Sequence, residues 1–246
     1  MKVKYDQIGI DYAGQRKSDP RIAAQIHEHL KGADKILNIG AGTGSYEPEE
    51  ADLIALEPSS KMIEQRNSSH PVIQASAEEL PFEDKHFSHT MTVLSMHHWT
   101  DQVKAFKEIS RVTKEKFVAV SWNPESAPFW LTEDYFPEIY QTDLKIFPFL
   151  NEIKNHFTKV KIEPLLIPAD CIDGFLAAYW KRPEAYLDPR VRQSISTFSK
   201  LENIEEGLLK LNSDLEDGTW ARRNALLLDQ EQLDTGYVIV LSLIHI

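Results

Sequence analysis

Residues 36–47 read ILNIGAGTGSYE, an apolar run that breaks into three glycines at alternate positions. Glycine reaches positive φ and leaves no Cβ between the backbone and a neighbour. Gly40, Gly42 and Gly44 therefore predict a tight loop with something packed closely against it. KILNI (35–39), just before them, reads as a short buried strand. In an open parallel sheet, ligands sit beyond the carboxyl ends of the strands, where the strand order reverses. Amides in the turn after such a strand can meet an anion. A bare strand-to-helix turn would use the same glycines, so the loop alone does not decide.

The next strand, LIALE (53–57), ends in Glu57, a residue type that can accept hydrogen bonds from both hydroxyls of a ribose. Loop and acid together point to a nucleoside ligand. The glycines run G-x-G-x-G, whereas a dinucleotide loop uses G-x-G-x-x-G. Ser45 stands where the third glycine or an alanine would be. A small anionic group, such as an amino-acid carboxylate, fits better here than a pyrophosphate.

The rest of the chain supplies a frame. Asp19-Pro20 opens a helix with Ile22, Ile26 and Leu30 on one face, ended by Gly32. SKMIEQR (60–66) and Asp101–Val112 are further helices, the second with Val103, Phe106, Ile109 and Val112 on one side. VIQA (72–75), HTMTVL (89–94), FVAVSW (117–122), VKIEPLLI (160–167) and GYVIVL (236–241) read as strands. Short apolar strands alternating with helices imply a parallel sheet covered on both faces. The expected architecture is a doubly wound α/β three-layer sandwich. Its seven-stranded sheet is mostly parallel with an antiparallel last strand, and a helical lid is added. The core spans about 20–123, 157–168 and 235–243. Segments 1–19, 124–156 and 169–234 supply the lid and substrate contacts. Residues 241–246 (LSLIHI) read either as the end of the last strand or as an appended tail, and carry no functional reading.

Bulk properties narrow the partners. With 27 Lys+Arg against 38 Asp+Glu, the net charge of -11 disfavours a phosphate backbone as ligand. The single cysteine, Cys171, cannot form an internal disulfide, and no Cys/His set has metal spacing. No apolar run reaches membrane-spanning length, and the first residues do not read as a signal peptide. The expectation is a cytoplasmic chain that acts on a small molecule, with no nucleic acid, membrane or metal partner and an undetermined oligomeric state.

ILNIGAGTGSY, LIALEPSSKMI, ASAEELPFEDKHFS and VLSMHHWTD stand in the order and spacing of class I S-adenosylmethionine-dependent methyltransferases. The chain resembles their ubiquinone-biosynthesis-like, type 11 small-molecule subgroup. The resemblance is specific over about residues 35–122. DCIDGFLAAYWKRPEAYLDP and LDTGYVIV extend it loosely. It implies S-adenosyl-L-methionine as cofactor. Gly40, Gly42 and Gly44 would lie at its methionine part, Glu57, Pro58 and Ser59 at the ribose, and Ser76, Ala77 and Glu78 at the adenine, with Asn38, Ala41 and Leu94 also among the cofactor-binding residues. Leu94 to His98 would face the methyl end. Two positions depart from the family pattern: Asn38 stands where an acid is usual, and Ser76 where an aspartate is. SAEE (76–79) also reads as a capping box, with Ser76 as N-cap. These departures keep a cofactor-binding regulator without turnover as an alternative, with a nucleotide-dependent reductase behind it.

Methyl transfer from a sulfonium is an in-line displacement, so the protein mainly supplies position. His97 and His98 are the candidates for proton transfer, with substrate positioning the favoured role. Tyr12, Trp99, Trp122, Tyr179 and Trp180 are expected to wall the substrate pocket. Lys181 and Arg182 could anchor a substrate carboxylate, or form a solvated charged turn.

Overall fold

The computed structural model describes residues 16–127 and 129–244. Seven strands form one sheet: β1 (Ile36–Ile39), β2 (Leu53–Leu56), β3 (Val72–Ile73), β4 (Phe87–Val93), β5 (Thr113–Trp122), β6 (Thr158–Pro168) and β7 (Gln232–Leu243). Their order is β3-β2-β1-β4-β5-β7-β6. The pairs β3·β2, β2·β1, β1·β4 and β4·β5 are parallel, while β7 runs antiparallel to both β5 and β6. This is the expected doubly wound sheet, with the last strand reversed between β5 and β6. Leu241–Leu243 continue β7, Leu243 pairing with both Lys116 and Thr158.

Helix α1 (Pro20–Glu28) starts where Asp19 accepts the Arg21 amide and Pro20 pre-sets the first φ, and it buries Ile22 and Ile26. Helix α2 (Ser60–Glu64) is a single short turn capped by Ser59. Helix α3 (Gln102–Val112) is capped by Asp101 and buries Ala105, Phe106, Ile109 and Val112. Val103, expected on that face, is 49% exposed. The buried stripe begins two residues later, at the first position that reaches the sheet.

Two connections lack the helix that the alternating pattern implies. Residues 40–52, between β1 and β2, form turns only, so the glycine loop opens no helix. Residues 76–79 likewise make a turn, in which the Glu79 amide donates to the Ser76 carbonyl. Ser76 is therefore not a helix N-cap, because no helix follows it.

Along β1 the side chains alternate. Leu37 and Ile39 join the core beneath α3, with Phe87, Phe106 and Phe117. Ile36 faces the other core, together with α1 and an aromatic mass from the later chain: Trp130, Phe136, Trp180, Tyr186 and Trp220. That mass comes from a π-helical turn (Leu131–Tyr135) entered at Trp130, helices α4 (Pro137–Ile146), α5 (Leu150–Lys154), α6 (Pro189–Ser194), α7 (Glu205–Glu216), α8 (Thr219–Arg223) and α9 (Ala225–Leu228), and short 3-10 turns between them. Among the described residues, no helix is long and apolar enough to cross a membrane.

Candidate functional site

The strand order reverses between β1 and β4, so their carboxyl ends diverge and open a crevice. A cavity of about 750 Å³ occupies that place, within the ~300–1,000 Å³ range of small-molecule sites. Its wall includes Asn38, Gly40, Ala41, Gly42, Glu57, Pro58, Ser76, Ala77, Glu78, Leu94, His97, His98 and Trp99. Strand order sets their sequence along the edge. Ser76–Glu78 follow β3, Glu57 follows β2, the glycines follow β1, and Leu94–Trp99 follow β4.

The glycine loop is shaped by a close approach. Gly40 has φ +67°, and a Cβ there would stand 1.8 Å from Ser95 Oγ. At Gly42, with φ +53°, a Cβ would meet nothing within 4 Å, so its backbone is open toward the cavity. Two non-glycine residues on the wall also sit in the left-handed region, Tyr46 at φ 65° and Leu94 at φ 50°. Such conformations cost ~1–3 kcal/mol each and cluster at ligand sites.

Glu57 is only 5% exposed. Its two oxygens accept separately, Oε2 from the Gly42 amide at 2.8 Å and Oε1 from the Ser59 amide at 2.9 Å. Burial pushes its carboxyl above the ordinary range, while those two amides and Arg66 pull it partly back. Each oxygen keeps a lone pair for a ligand hydroxyl. Burial also acts upward on Glu78. Its own amide, the Thr100 hydroxyl and the Asp101 and Thr100 amides outweigh it, so Glu78 titrates below its usual range.

Asn38 is 2% exposed at the end of β1. Its Nδ2 donates to Glu47 Oε1 at 2.9 Å, and its Oδ1 is buried with no partner among the described residues. Glu47 is paired with Arg66 at 2.8 Å, and that arginine also donates to the Gly42 carbonyl at 3.3 Å. A buried acceptor left unpaired costs ~1–3 kcal/mol. Asn38 lines the cavity, and this enclosed oxygen is an unmet acceptor next to it.

The far end of the cavity has a different chemistry. His97 stacks on Phe147 with ring centroids 4.3 Å apart and lies 3.8 Å from the ring of His98. Burial, then the neighbouring His98, Lys200 and Arg16, hold His97 well below the ordinary histidine pKa. His98 is open at the cavity surface but crowded by protein. That crowding, then Lys200, keeps it below the usual range too. Trp99 donates to Ser95 Oγ at 3.1 Å. Arg16, Ile146 and Lys200 complete this region of the wall. Arg16 is held by Asp173 at 2.7 Å, and Asp173 also accepts from Tyr46 Oη at 2.7 Å, which sets the arginine beside the glycine loop.

Several expected residues stand elsewhere. Gly44 and Ser59 are off the wall: Gly44 packs against Ser68 and Glu47, and Ser59 caps α2. Trp122 lines a separate cavity with room for about one water, beside Tyr140, Asp143 and Tyr237. Trp180 is fully buried and donates to the Ile167 and Pro168 carbonyls. Tyr179 is buried beneath the Arg182 guanidinium and against Tyr186. Tyr179 and Trp180 are core because the 176–187 turns pack against β6, α6 and α7, while Trp122 ends β5 and packs its ring against Tyr140 and Phe147. Lys181 bonds the Gln230 carbonyl, and Arg182 the Cys171 and Ala178 carbonyls, so neither reaches the cavity. Tyr12 lies outside the described residues. Sequence reasoning missed Arg16, Ile146 and Lys200, which carry no local motif, and Tyr46 and Glu47, which follow the glycines directly. Among the described residues no cluster of His, Cys, Asp and Glu could hold a metal.

Fold and site define a doubly wound α/β protein with a cavity of small-molecule size at the reversal of its strand order. Comparison with known proteins gives that class its chemistry. Residues 37–119 match the family model described as a methyltransferase domain. A solved structure from Anabaena variabilis, described as a candidate methyltransferase from an antibiotic biosynthesis pathway, is 31% identical. It aligns over 93% of this chain and 98% of its own, with a TM-score of 0.84. The uncharacterized methyltransferase YcgJ of Bacillus subtilis strain 168 is 26% identical over 63% of this chain, a match that spans 58% of that relative's length. An S-adenosylmethionine-dependent methyltransferase of Thermotoga maritima shares the fold, with a TM-score of 0.54 at 16% identity over 97% of this chain and 91% of its own. The chain belongs to the class I S-adenosylmethionine-dependent methyltransferases, and S-adenosylmethionine is its cofactor. The cavity fits that group: Gly42 leaves room at the backbone, and Glu57 has acceptor capacity for a diol.

Proposed function

We propose that the chain methylates a small molecule held against His97, His98, Trp99 and Lys200, and that it does so by alignment, without a protein base. The observation that carries this reading is the continuity of the cavity from Ser76 and Glu57, through Asn38 and the glycines, to the two histidines. The cofactor supplies the electrophilic methyl and the leaving group when bound. Glu57 would accept from the ribose hydroxyls, and Ser76 and Ala77 would border the adenine. Arg16 is a cavity-lining cation tied to the end of the glycine loop through Asp173 and Tyr46, and would take the amino-acid carboxylate.

At the acceptor end the chain's own groups orient and enclose. A base works best with a pKa near the working pH. Both imidazoles are held below that range by burial and by Lys200, so their neutral rings suit hydrogen bonding and stacking better than proton removal. Holding a nucleophile in line with the methyl can supply ~7–11 kcal/mol of barrier reduction. A small acceptor agrees with the walled cavity, and the net charge of -11 argues against a nucleic acid.

S-adenosylhomocysteine should raise the melting temperature in proportion to the logarithm of its concentration, while NAD should not. A melting curve unmoved by millimolar S-adenosylhomocysteine would defeat the reading. Transfer of labelled methyl from S-adenosylmethionine to a fractionated small-molecule pool would then separate turnover from binding alone.

A further inference from the structure

Charge divides the cavity wall. Among the described residues its acids are Glu57 and Glu78, and both follow strands at the cofactor end. Lys200 also lines the wall, and its charge is felt by both His97 and His98. The turn that carries it is fixed from behind. The Lys200 amide donates to the Thr197 carbonyl at 3.0 Å, and the Thr197 hydroxyl donates to buried Asp143 at 3.3 Å. Phe198 meets Phe136 edge-on, with ring centroids 5.1 Å apart. Asp143 itself faces the separate small cavity with Trp122, Tyr140 and Tyr237, and burial holds its proton up to about pH 7. It therefore offsets Lys200 only in part. In a chain of net charge -11, a cation fixed on the wall of a small-molecule cavity is a counter-ion for an anionic ligand.

The same region is poor in bases. A histidine that takes a proton in catalysis is backed, in the Ser-His-Asp pattern, by an acid at its other ring nitrogen, which holds the tautomer and the cation. His97 Nδ1 is buried with no hydrogen-bond partner among the described residues, and its ring packs on Phe147 and His98. An alcohol, a phenol, an ammonium or a carbon acid must lose a proton before it attacks a methyl group. A carboxylic acid has lost its proton already at neutral pH.

We propose that the acceptor is a small carboxylic acid, bound as its anion by Lys200, and that the methyl goes to a carboxylate oxygen to give a methyl ester. The proposal rests on the cofactor and turnover reading above. A lone pair of the carboxylate forms the O–C bond as the C–S electron pair leaves to sulfur. The sulfonium and carboxylate charges cancel together, and no proton moves. One ammonium suits one carboxylate charge. A phosphate monoester carries nearly two, which suits guanidinium forks and amide nests better. Arg16, the other lining cation, is held by Asp173 and assigned to the cofactor's own carboxylate. The ester has no charge for Lys200 to hold, so the ion pair that gathers the substrate does not retain the product.

The test incubates the whole chain with methyl-labelled S-adenosylmethionine and a fractionated small-molecule pool, then treats the products with mild alkali. A methyl ester releases its label as volatile methanol, whereas methyl groups on nitrogen, carbon, ether oxygen or phosphate stay in place. The label should be alkali-labile. In Lys200→Gln the amount of the accepting fraction needed for half-maximal rate should rise at least ~10-fold, the scale of a lost charge-assisted hydrogen bond. The maximal rate should fall less than about 3-fold, with S-adenosylhomocysteine affinity within about 2-fold of the parent. Lys200→Arg keeps the charge and should stay within about 3-fold of the parent throughout. Alkali-stable label overturns the proposal and leaves the methyltransferase reading standing, and this arm needs the parent alone if Lys200→Gln does not fold. A folded Lys200→Gln with an unchanged half-saturation point overturns it as well. No transfer to any fraction, with S-adenosylhomocysteine still bound, would instead defeat the turnover reading on which the proposal rests.

Discussion

The two ends of the cavity are built differently. The cofactor end is made by consecutive strand ends within residues 38–78, and its polar side chains are tied down: Asn38 to Glu47, Glu57 to two amides, Glu78 to Thr100 and Asp101. The acceptor end gathers two adjoining histidines, Ile146 from α4 and Lys200 from a 3-10 turn, with Arg16 where the two ends meet. Its lining charges are cationic, whereas the lining acids Glu57 and Glu78 belong to the cofactor end. A ligand that never changes can be met by a preorganised shell of fixed acceptors. The acceptor is met instead by segments remote in sequence that converge on one strand end. If this contrast is right, variants at the cofactor end change affinity and fold together, and variants at the acceptor end change one without the other.

The largest effect should come from Gly40→Ala. The left-handed backbone costs an L-residue ~1–2 kcal/mol, and the new methyl would meet Ser95 Cβ at 2.7 Å as well as its hydroxyl. Crowding of that kind adds ~1–3 kcal/mol. The variant should melt several degrees lower and lose most S-adenosylhomocysteine affinity. Unaltered melting and binding would mean that the loop is looser than its φ values and contacts indicate.

Glu57→Ala follows. The ribose hydrogen bonds to a charged group should be worth ~1.5–3 kcal/mol of affinity. Stability should fall as well, because the Gly42 and Ser59 amides lose their acceptor. Paired calorimetry and thermal melts would check both. A variant that loses affinity alone would show that water replaces the carboxylate at those amides, and would weaken the claim that the cofactor end is one preorganised unit.

How legible each end is in the sequence follows from the same contrast. All seven strands, the glycine loop and Glu57 can be read because short apolar runs and backbone-driven residues act locally. Ten of the twelve expected cofactor contacts reach the wall for that reason. Gly44 and Ser59 do not, since each serves its own loop or cap. Tyr179 and Trp180 are core where a pocket wall is expected, because an aromatic's place in a lid depends on which way the later turns fold, and Trp122 at the end of β5 is covered by Tyr140 and Phe147 from remote segments; no spacing encodes either. Lys200 and Ile146 are remote in sequence from every motif, so only tertiary packing brings them in. Glu47 lies within the glycine-loop motif itself, but its pairing with Arg66 is invisible without the fold.

A third prediction probes the acceptor side through stability. Asp143 on α4 is buried, accepts from Thr197 at 3.3 Å, and its carboxyl is pushed up to about 7 by burial, against the pull of Lys200 and that hydroxyl. The folded chain thus keeps a proton that the unfolded chain releases near 3.8, so this group's contribution to stability declines as pH rises from about 4 to 7. Each tenfold change in proton affinity is about 1.4 kcal/mol, which sets a ceiling on the order of 4 kcal/mol. Loss of the Lys200 attraction in Asp143→Asn should leave a gain of roughly 1–2 kcal/mol above pH 7. The gain should vanish toward pH 4, and S-adenosylhomocysteine affinity should stay the same. Melting curves across that range would show it, and a variant less stable at pH 8 than the parent would reverse the assignment.

The smallest effect on the cofactor should come from the histidines, and it is the sharpest test of the contrast. Glutamine at position 97 or 98 keeps a neutral hydrogen-bonding group and removes the imidazole. Since both rings are held below the usual histidine range by burial and Lys200, they are uncharged at neutral pH before and after the change. Cofactor affinity should therefore move by less than about 0.5 kcal/mol, the size of a substitution away from its ligand. With an acceptor identified by labelled methyl transfer, the variants should raise KM severalfold and lower kcat little. The parent's log kcat/KM should show no limb near pH 6.5, because His97 and His98 are both held below that range. A base would behave otherwise: its loss typically lowers turnover ~10²–10⁴-fold. A thousandfold fall in kcat for either variant, at unchanged S-adenosylhomocysteine affinity, would make that histidine the proton acceptor. The acceptor end would then be a catalytic unit in its own right, and alignment alone would no longer account for the reaction.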